Sequence, residues 1–157
     1  MIDLHDFLKE KLSNAGKVVI LGAGSELMGD DAAGVVIAGN LKQRLGNGKN
    51  PRVDVLVGSN APENFTGEIK KFRPTHLVVL DAADMREKPG AVMAIDEEVI
   101  KGVTFSTHML PLVVMTDYLK KEIGCETIFL GIQHETVGYG AEMTPRVKEA
   151  VEEVAGI

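Results

Sequence analysis

Five short apolar, β-branched runs separated by stretches of helical spacing predict an α/β fold. The expected fold is a single domain over residues 1–157, a twisted, mostly parallel five-stranded sheet with helices on both faces. The runs are 17–21, 53–57, 76–80, 91–95 and 127–131, each reading as a buried strand because apolar character is continuous rather than alternating. Helical spacing occupies 31–45, 62–72 and 110–123 between them, with further helices at 4–12 and 145–154.

Local punctuation agrees with this assignment. Thr144-Pro145 offers an N-cap and first-turn pair for the last helix, and Gly46-Asn47-Gly48 ends the second. The alternation breaks between 82 and 102, where Lys88-Pro89-Gly90 predicts a turn and 91–95 an edge hairpin or short meander, its direction left open.

Composition removes several classes of function. The chain of 157 residues is 45% hydrophobic and 25% charged, enough for one core burying about two-thirds of the unfolded surface. A formal charge of −6 argues against nucleic acid, whose binding needs clustered cations. Lys70-Lys71 and Lys120-Lys121 read as solvated helix faces. No apolar run approaches the roughly 20 residues of a membrane helix, and the Met1-Ile2-Asp3-Leu4-His5-Asp6 start is not a secretory signal, so a cytoplasmic monomer without membrane insertion is expected. Cys125, the single cysteine, supports neither a disulfide nor a thiolate metal site and is expected in the core.

The first strand leads into Gly22-Ala23-Gly24-Ser25-Glu26-Leu27-Met28-Gly29-Asp30-Asp31, which superficially resembles a nucleotide loop. A dinucleotide turn would place a third glycine where Leu27 stands, and a phosphate loop would continue with Lys and Ser or Thr. Asp30 and Asp31 stand there instead and would repel phosphate, so a cation is the better guest. Either acid could instead cap the following helix, with its neighbour pointing outward.

Ligands of an open α/β sheet bind beyond the carboxyl ends of its strands. Asp31 follows the first strand, Asp81 ends the third, and His108 opens a helix in Ser106-Thr107-His108-Met109-Leu110-Pro111. Two carboxylates and an imidazole suit zinc, nickel, manganese or iron better than calcium and leave positions open for water or substrate. The helix dipole would help keep His108 neutral. Taken singly, each residue could equally be a cap or a satisfied histidine. His134 follows the last strand at the same edge and is a candidate for a supporting or substrate-contacting role, whereas His5 and His76 lie elsewhere and Glu26 reads as a solvated loop acid.

The ordered set Gly22-x-Gly24-x-x-Leu27-x-x-Asp30-Asp31-x-x-Gly34, then Asp81-Ala82, then Ser106-Thr107-His108-x-Leu110-Pro111, extended by Gly131-Ile132-Gln133, resembles the [NiFe]-hydrogenase maturation endopeptidases. The type serving formate-hydrogenlyase-like, energy-converting hydrogenases is nearest in overall look. The resemblance implies metal ligation by Asp31, Asp81 and His108, with Asp30 in support. It implies a hydrogenase large-subunit precursor as substrate, already carrying nickel, which loses a short C-terminal extension. It also implies a place among aspartic-type endopeptidases. Ser25 stands where the family commonly has Asn and Ala32 where Gly is frequent. The alternatives are a non-enzymatic nickel-binding chaperone or checkpoint module using the same ligands, and a nucleotide-binding module, already weakened by Asp30 and Asp31.

Overall fold

In a computed structural model, which describes residues 4–25, 27, 29–45, 51–59, 61–95, 104–105, 109–135 and 142–148, apolar runs form strands and amphipathic stretches form helices in the expected alternation. The elements are α1 (Leu4–Lys11), β1 (Val18–Ala23), a 3-10 turn (Gly29–Ala32), α2 (Ala33–Arg44), β2 (Val53–Ser59), a second 3-10 turn (Pro62–Phe65), α3 (Thr66–Phe72), β3 (His76–Asp84), β4 (Val92–Ile95), β5 (Thr104–Phe105), α4 (Met109–Ile123) and β6 (Glu126–Gln133). Residues 145–148 are helical, and the rest of the predicted last helix lies outside the described residues, as does Gly46-Asn47-Gly48.

The strand order is β2-β1-β3-β6-β4. β2, β1, β3 and β6 are parallel, and β4 runs antiparallel along β6 at the edge. The open direction of 91–95 is thereby settled: Gly90 donates its N–H to the Gln133 carbonyl and Gln133 donates to that of Ala91, turning the chain back along β6. The two-residue β5 adds antiparallel to the end of β3.

Two departures from the sequence reading matter. The helices expected from 31 and 62 each begin with a 3-10 turn, so α2 itself starts at Ala33. β3 was expected to stop at Asp81 and instead continues to Asp84, because β6 supplies backbone partners as far as Ala83 and β5 takes up Ala83 and Asp84.

Alternation along the strands divides the core. Val19, Leu21, Leu77, Val79 and Phe129 face α3 and α4, meeting Ile69, Met115 and Leu119. Val18, Ile20, Val78, Leu80, Leu130 and Ile132 face the opposite layer, where Leu8, Ile37, Leu41 and Val147 cover them. Fully enclosed side chains such as Phe129, Leu21 and Ile37 each contribute roughly 1.5–3 kcal/mol of transfer free energy. Cys125 lies in this core with no exposure, and burial raises its thiol to about 11. Lys71, Lys120 and Lys121 are solvated as expected, but Lys70 is half-buried and donates to the Tyr118 hydroxyl at 2.8 Å.

α2 lies unusually close to the sheet. A Cβ on Gly34 would fall on the Leu80 carbonyl oxygen, and one on Gly22 would fall on the Gly34 carbonyl oxygen and within 2.6 Å of the Ala38 Cβ. Gly39, on the same helix, has open space. Gly34→Ala is therefore expected to lower stability by about 2–3 kcal/mol, or roughly 5–10 °C in Tm, whereas Gly39→Ala should raise it by about 0.5–1 kcal/mol. Paired melting curves check this, and equal shifts would contradict the packing account.

Candidate active site

The chain leaves β1 for β2 on one side and returns to β3 on the other, so the switch point of the sheet lies between β1 and β3. Pairing of β1 with β3 ends at Gly22 and Leu80, while β5 joins β3 only at Ala83. Asp81 occupies the gap. Its backbone is held on the other side opposite Gly131 of β6, and alternation assigns its side chain to the face of Leu77 and Val79, under α3 and α4. Asp81 is fully buried, an unusual place for a carboxylate and therefore one with a physical reason to be sought.

Asp31 reaches the same switch point from β1. Gly24, at φ +128°, and Gly29, at φ +58°, turn the chain back over the strand end. A Cβ on Gly24 would meet the Asp31 carbonyl oxygen. The Asp31 carboxylate accepts the Ser25 N–H at 2.9 Å through Oδ2 and is half-buried. An acid thus occupies an amide that a bound phosphate would need, which adds a geometric objection to the nucleotide reading. Ser25 Oγ in turn accepts the Leu27 N–H at 3.4 Å, a turn an Asn side chain would also close, so the departure at Ser25 keeps the loop chemistry.

Neither acid caps α2. Its N-cap is Ala32, with no side-chain bond, and the capping alternative is not realised. Asp30 is a buried clamp. Its Oδ2 accepts the Glu135 N–H at 2.8 Å and its Oδ1 the Thr144 N–H at 2.7 Å, while the Thr144 hydroxyl lies 3.1 and 2.9 Å from the two oxygens. Thr144, expected only as a helix cap, thus spends its hydroxyl on Asp30. Charge-assisted bonds of this kind let a carboxylate sit at 0% exposure.

Sequence reasoning missed the role of Gln133. It is 5% exposed, accepts the Met85 N–H at 2.6 Å and the Glu87 N–H at 3.3 Å, and donates to Asp84 at 3.4 Å. It thereby fixes the turn that leaves β3, in which Arg86 has φ 59°. The Arg86 N–H and then Gln133 hold the exposed Asp84 carboxyl below its usual range. The available signal was a polar amide closing an apolar strand. His134 follows at the same edge, half-buried, its N–H 3.4 Å from the Ala83 carbonyl.

The third expected ligand, His108, lies outside the described residues, as does Glu26. Among the described residues no three of His, Cys, Asp and Glu gather as a metal group. Of the described chain nearby, Phe105 pairs with Ala83, two residues past Asp81, and α4 starts at Met109. His5 is on α1, and His76 is bonded to Thr75 and faces Glu126 at the amino end of β3, both away from the switch point. No described helix is long and apolar enough to cross a membrane.

Comparison with known proteins points to one family. The family model described as hydrogenase maturation protease matches residues 35–157. The hydrogenase 3 maturation protease of Escherichia coli K12 is 39% identical over 137 residues, covering 87% of this chain and 85% of that protein. The crystal structure of a [NiFe] hydrogenase maturation protease from Thermococcus kodakarensis superposes with a TM-score of 0.83 at 31% identity, covering 96% of this chain and 94% of that one. A hydrogenase maturating endopeptidase from E. coli superposes at 0.72 with 26% identity, over 89% and 88% of the two chains.

The two neighbouring acids should separate in a melting experiment. Asp30→Asn sets an amide NH2 against N–H donors in either orientation and is expected to cost about 2–4 kcal/mol, whereas Asp31→Asn keeps an acceptor for Ser25 and should change Tm by less than about 2 °C. Comparable losses would refute the division of roles. Iodoacetamide at pH 8 should label Cys125 only in denaturant, and stability should fall as pH rises from about 9 to about 11, where the unfolded thiol loses its proton and the folded one keeps it. Rapid labelling of the folded protein would contradict the burial.

Proposed function

We propose that this chain, which belongs to the hydrogenase maturation protease family, is the endopeptidase that removes a short C-terminal peptide from the nickel-loaded precursor of a [NiFe]-hydrogenase large subunit. The single observation that supports this most is the position of Asp81, a carboxylate enclosed at the switch point where the Asp31 turn arrives.

Nickel enters as part of the substrate in this reading, and other divalent ions would fit the same oxygen-rich donors. Asp31 and Asp81, with His108, would hold it, and a metal so placed can polarise the scissile carbonyl or lower the pKa of an attacking water. Asp31 offers Oδ1, since Oδ2 is engaged by Ser25. Burial of Asp81 places its carboxylate in a medium of low effective dielectric, which would strengthen its attraction for a cation. Hydrolysis adds water across the peptide bond, leaving a carboxylate on the mature subunit and an amine on the released peptide. Carboxylates rather than a Ser or Cys nucleophile would serve this step, which is the sense in which the reading is aspartic-type. The enclosed, un-ionised Cys125 is no competitor. Asp30 and the backbone around His134 would keep the site in shape, and the work belongs in the cytoplasm, where the protein would act as a monomer.

The test is to incubate the protein with purified, nickel-loaded precursor and weigh the products. Loss of a C-terminal peptide is expected. An intact, stable complex without cleavage would instead mean a nickel-binding chaperone or checkpoint module. Asp81→Asn, Asp31→Asn and His108→Ala should each lower processing by about a hundredfold or more at near-normal stability. Normal processing by any one of them would remove that residue from the site.

A further inference from the structure

A groove of about 730 Å³ lies between α3 and α4, with Glu63, Lys70, Val114 and Tyr118 among its walls. The 3-10 turn carrying Glu63 begins just beyond the carboxyl end of β2, and α3 and α4 lead into the parallel strands β3 and β6, so both helices run away from the switch-point edge. The groove therefore lies on the sheet face that carries Asp81, with its Glu63 end at the carboxyl edge of the strands.

Its lining is peculiar in two ways. Val114 is 63% exposed and Tyr118 39%, a solvated apolar wall on the outer side of α4. At the edge end, Oε2 of Glu63 is enclosed and has no hydrogen-bond partner among the described residues. A shielded carboxylate oxygen without a donor is costly and is satisfied best by a cation or an N–H brought from outside. The charge at the far end is already answered, because Lys70 donates to Tyr118 at 2.8 Å and lies 3.6 Å from Glu122. Among the described groove residues, the unanswered group is Oε2 of Glu63.

We infer that this groove seats a segment of the substrate precursor, with a Lys or Arg of that segment on Glu63 and apolar side chains along Val114 and Tyr118. The inference rests on the proteolytic reading above and extends it with a specificity determinant outside the ligand set. A groove whose Glu63 end lies at that same sheet edge would hold the precursor beside Asp31 and Asp81 without touching them, so binding there should govern KM rather than the chemical step.

The test uses purified nickel-loaded large-subunit precursor with the wild-type protein, Glu63→Gln and Val114→Asp, measuring binding by titration and processing by mass. Val114 is solvent-exposed and Glu63→Gln keeps size and shape, so both variants should melt near the wild type. Each is expected to weaken precursor binding and raise KM about tenfold with kcat unchanged. Wild-type affinity and KM in both variants would overturn the inference while leaving the proteolytic reading intact. Binding by the wild type without cleavage, weakened in both variants, would support the groove and sink the proteolytic reading instead. A wild type that neither binds nor cleaves would overturn both. Sedimentation of the protein alone adds one more outcome: self-association abolished by Val114→Asp would give the groove to a second copy of the chain and overturn the inference.

Discussion

The contact on which the site depends is the one between the backbone of α2 and that of β3. Gly34 rests against the Leu80 carbonyl and Gly22 against that of Gly34, approaches that any side chain would prevent. Asp31 precedes Gly34 by about one helical turn, and Asp81 directly follows Leu80. Two acids distant in sequence are set at the ends of neighbouring strands by missing methyl groups. Packing of α2 and the rest of the core holds them there.

The adjacent acids show how identical chemistry divides by surroundings. Asp30 is surrounded by N–H donors and a hydroxyl, so its charge is absorbed into the scaffold. Asp31 gives one oxygen to Ser25 and keeps partial contact with solvent. A backbone step of one residue separates an enclosed anion from one that keeps an edge on solvent. That distinction follows from where each side chain points, which no spacing rule encodes.

Much of the fold was legible because its signals are local. Continuous apolar runs gave the strands within a few residues, and the Lys88-Pro89-Gly90 turn correctly marked where the pattern would depart from parallel alternation. What escaped was set by distant partners. β3 extends past Asp81 only because β6 and β5 accompany it, and the 3-10 turns at Gly29 and Pro62 reflect loops tightening onto strand ends. The clamp made by Asp30 and the turn organised by Gln133 likewise depend on residues far along the chain. Family resemblance pointed to Asp30 as a supporting residue without indicating its partners, because Glu135 and Thr144 lie more than a hundred positions away.

The Asp30 clamp also bears on the order of events in folding. Its partners Glu135 and Thr144 are separated from it by 105 and 114 positions, and β6, the strand that delivers Glu135, inserts between β3 and β4. Contacts of such high order are reached late, after the entropy of closing a long loop has been lost. The β1-β2 pair and α2 can assemble first from neighbouring sequence, leaving the acidic turn in place but untethered. For a chain of a protease family that sequence of events has a benefit: the acidic turn is tethered only when Glu135 and Thr144 have arrived, so partly folded chains do not carry it in its finished shape.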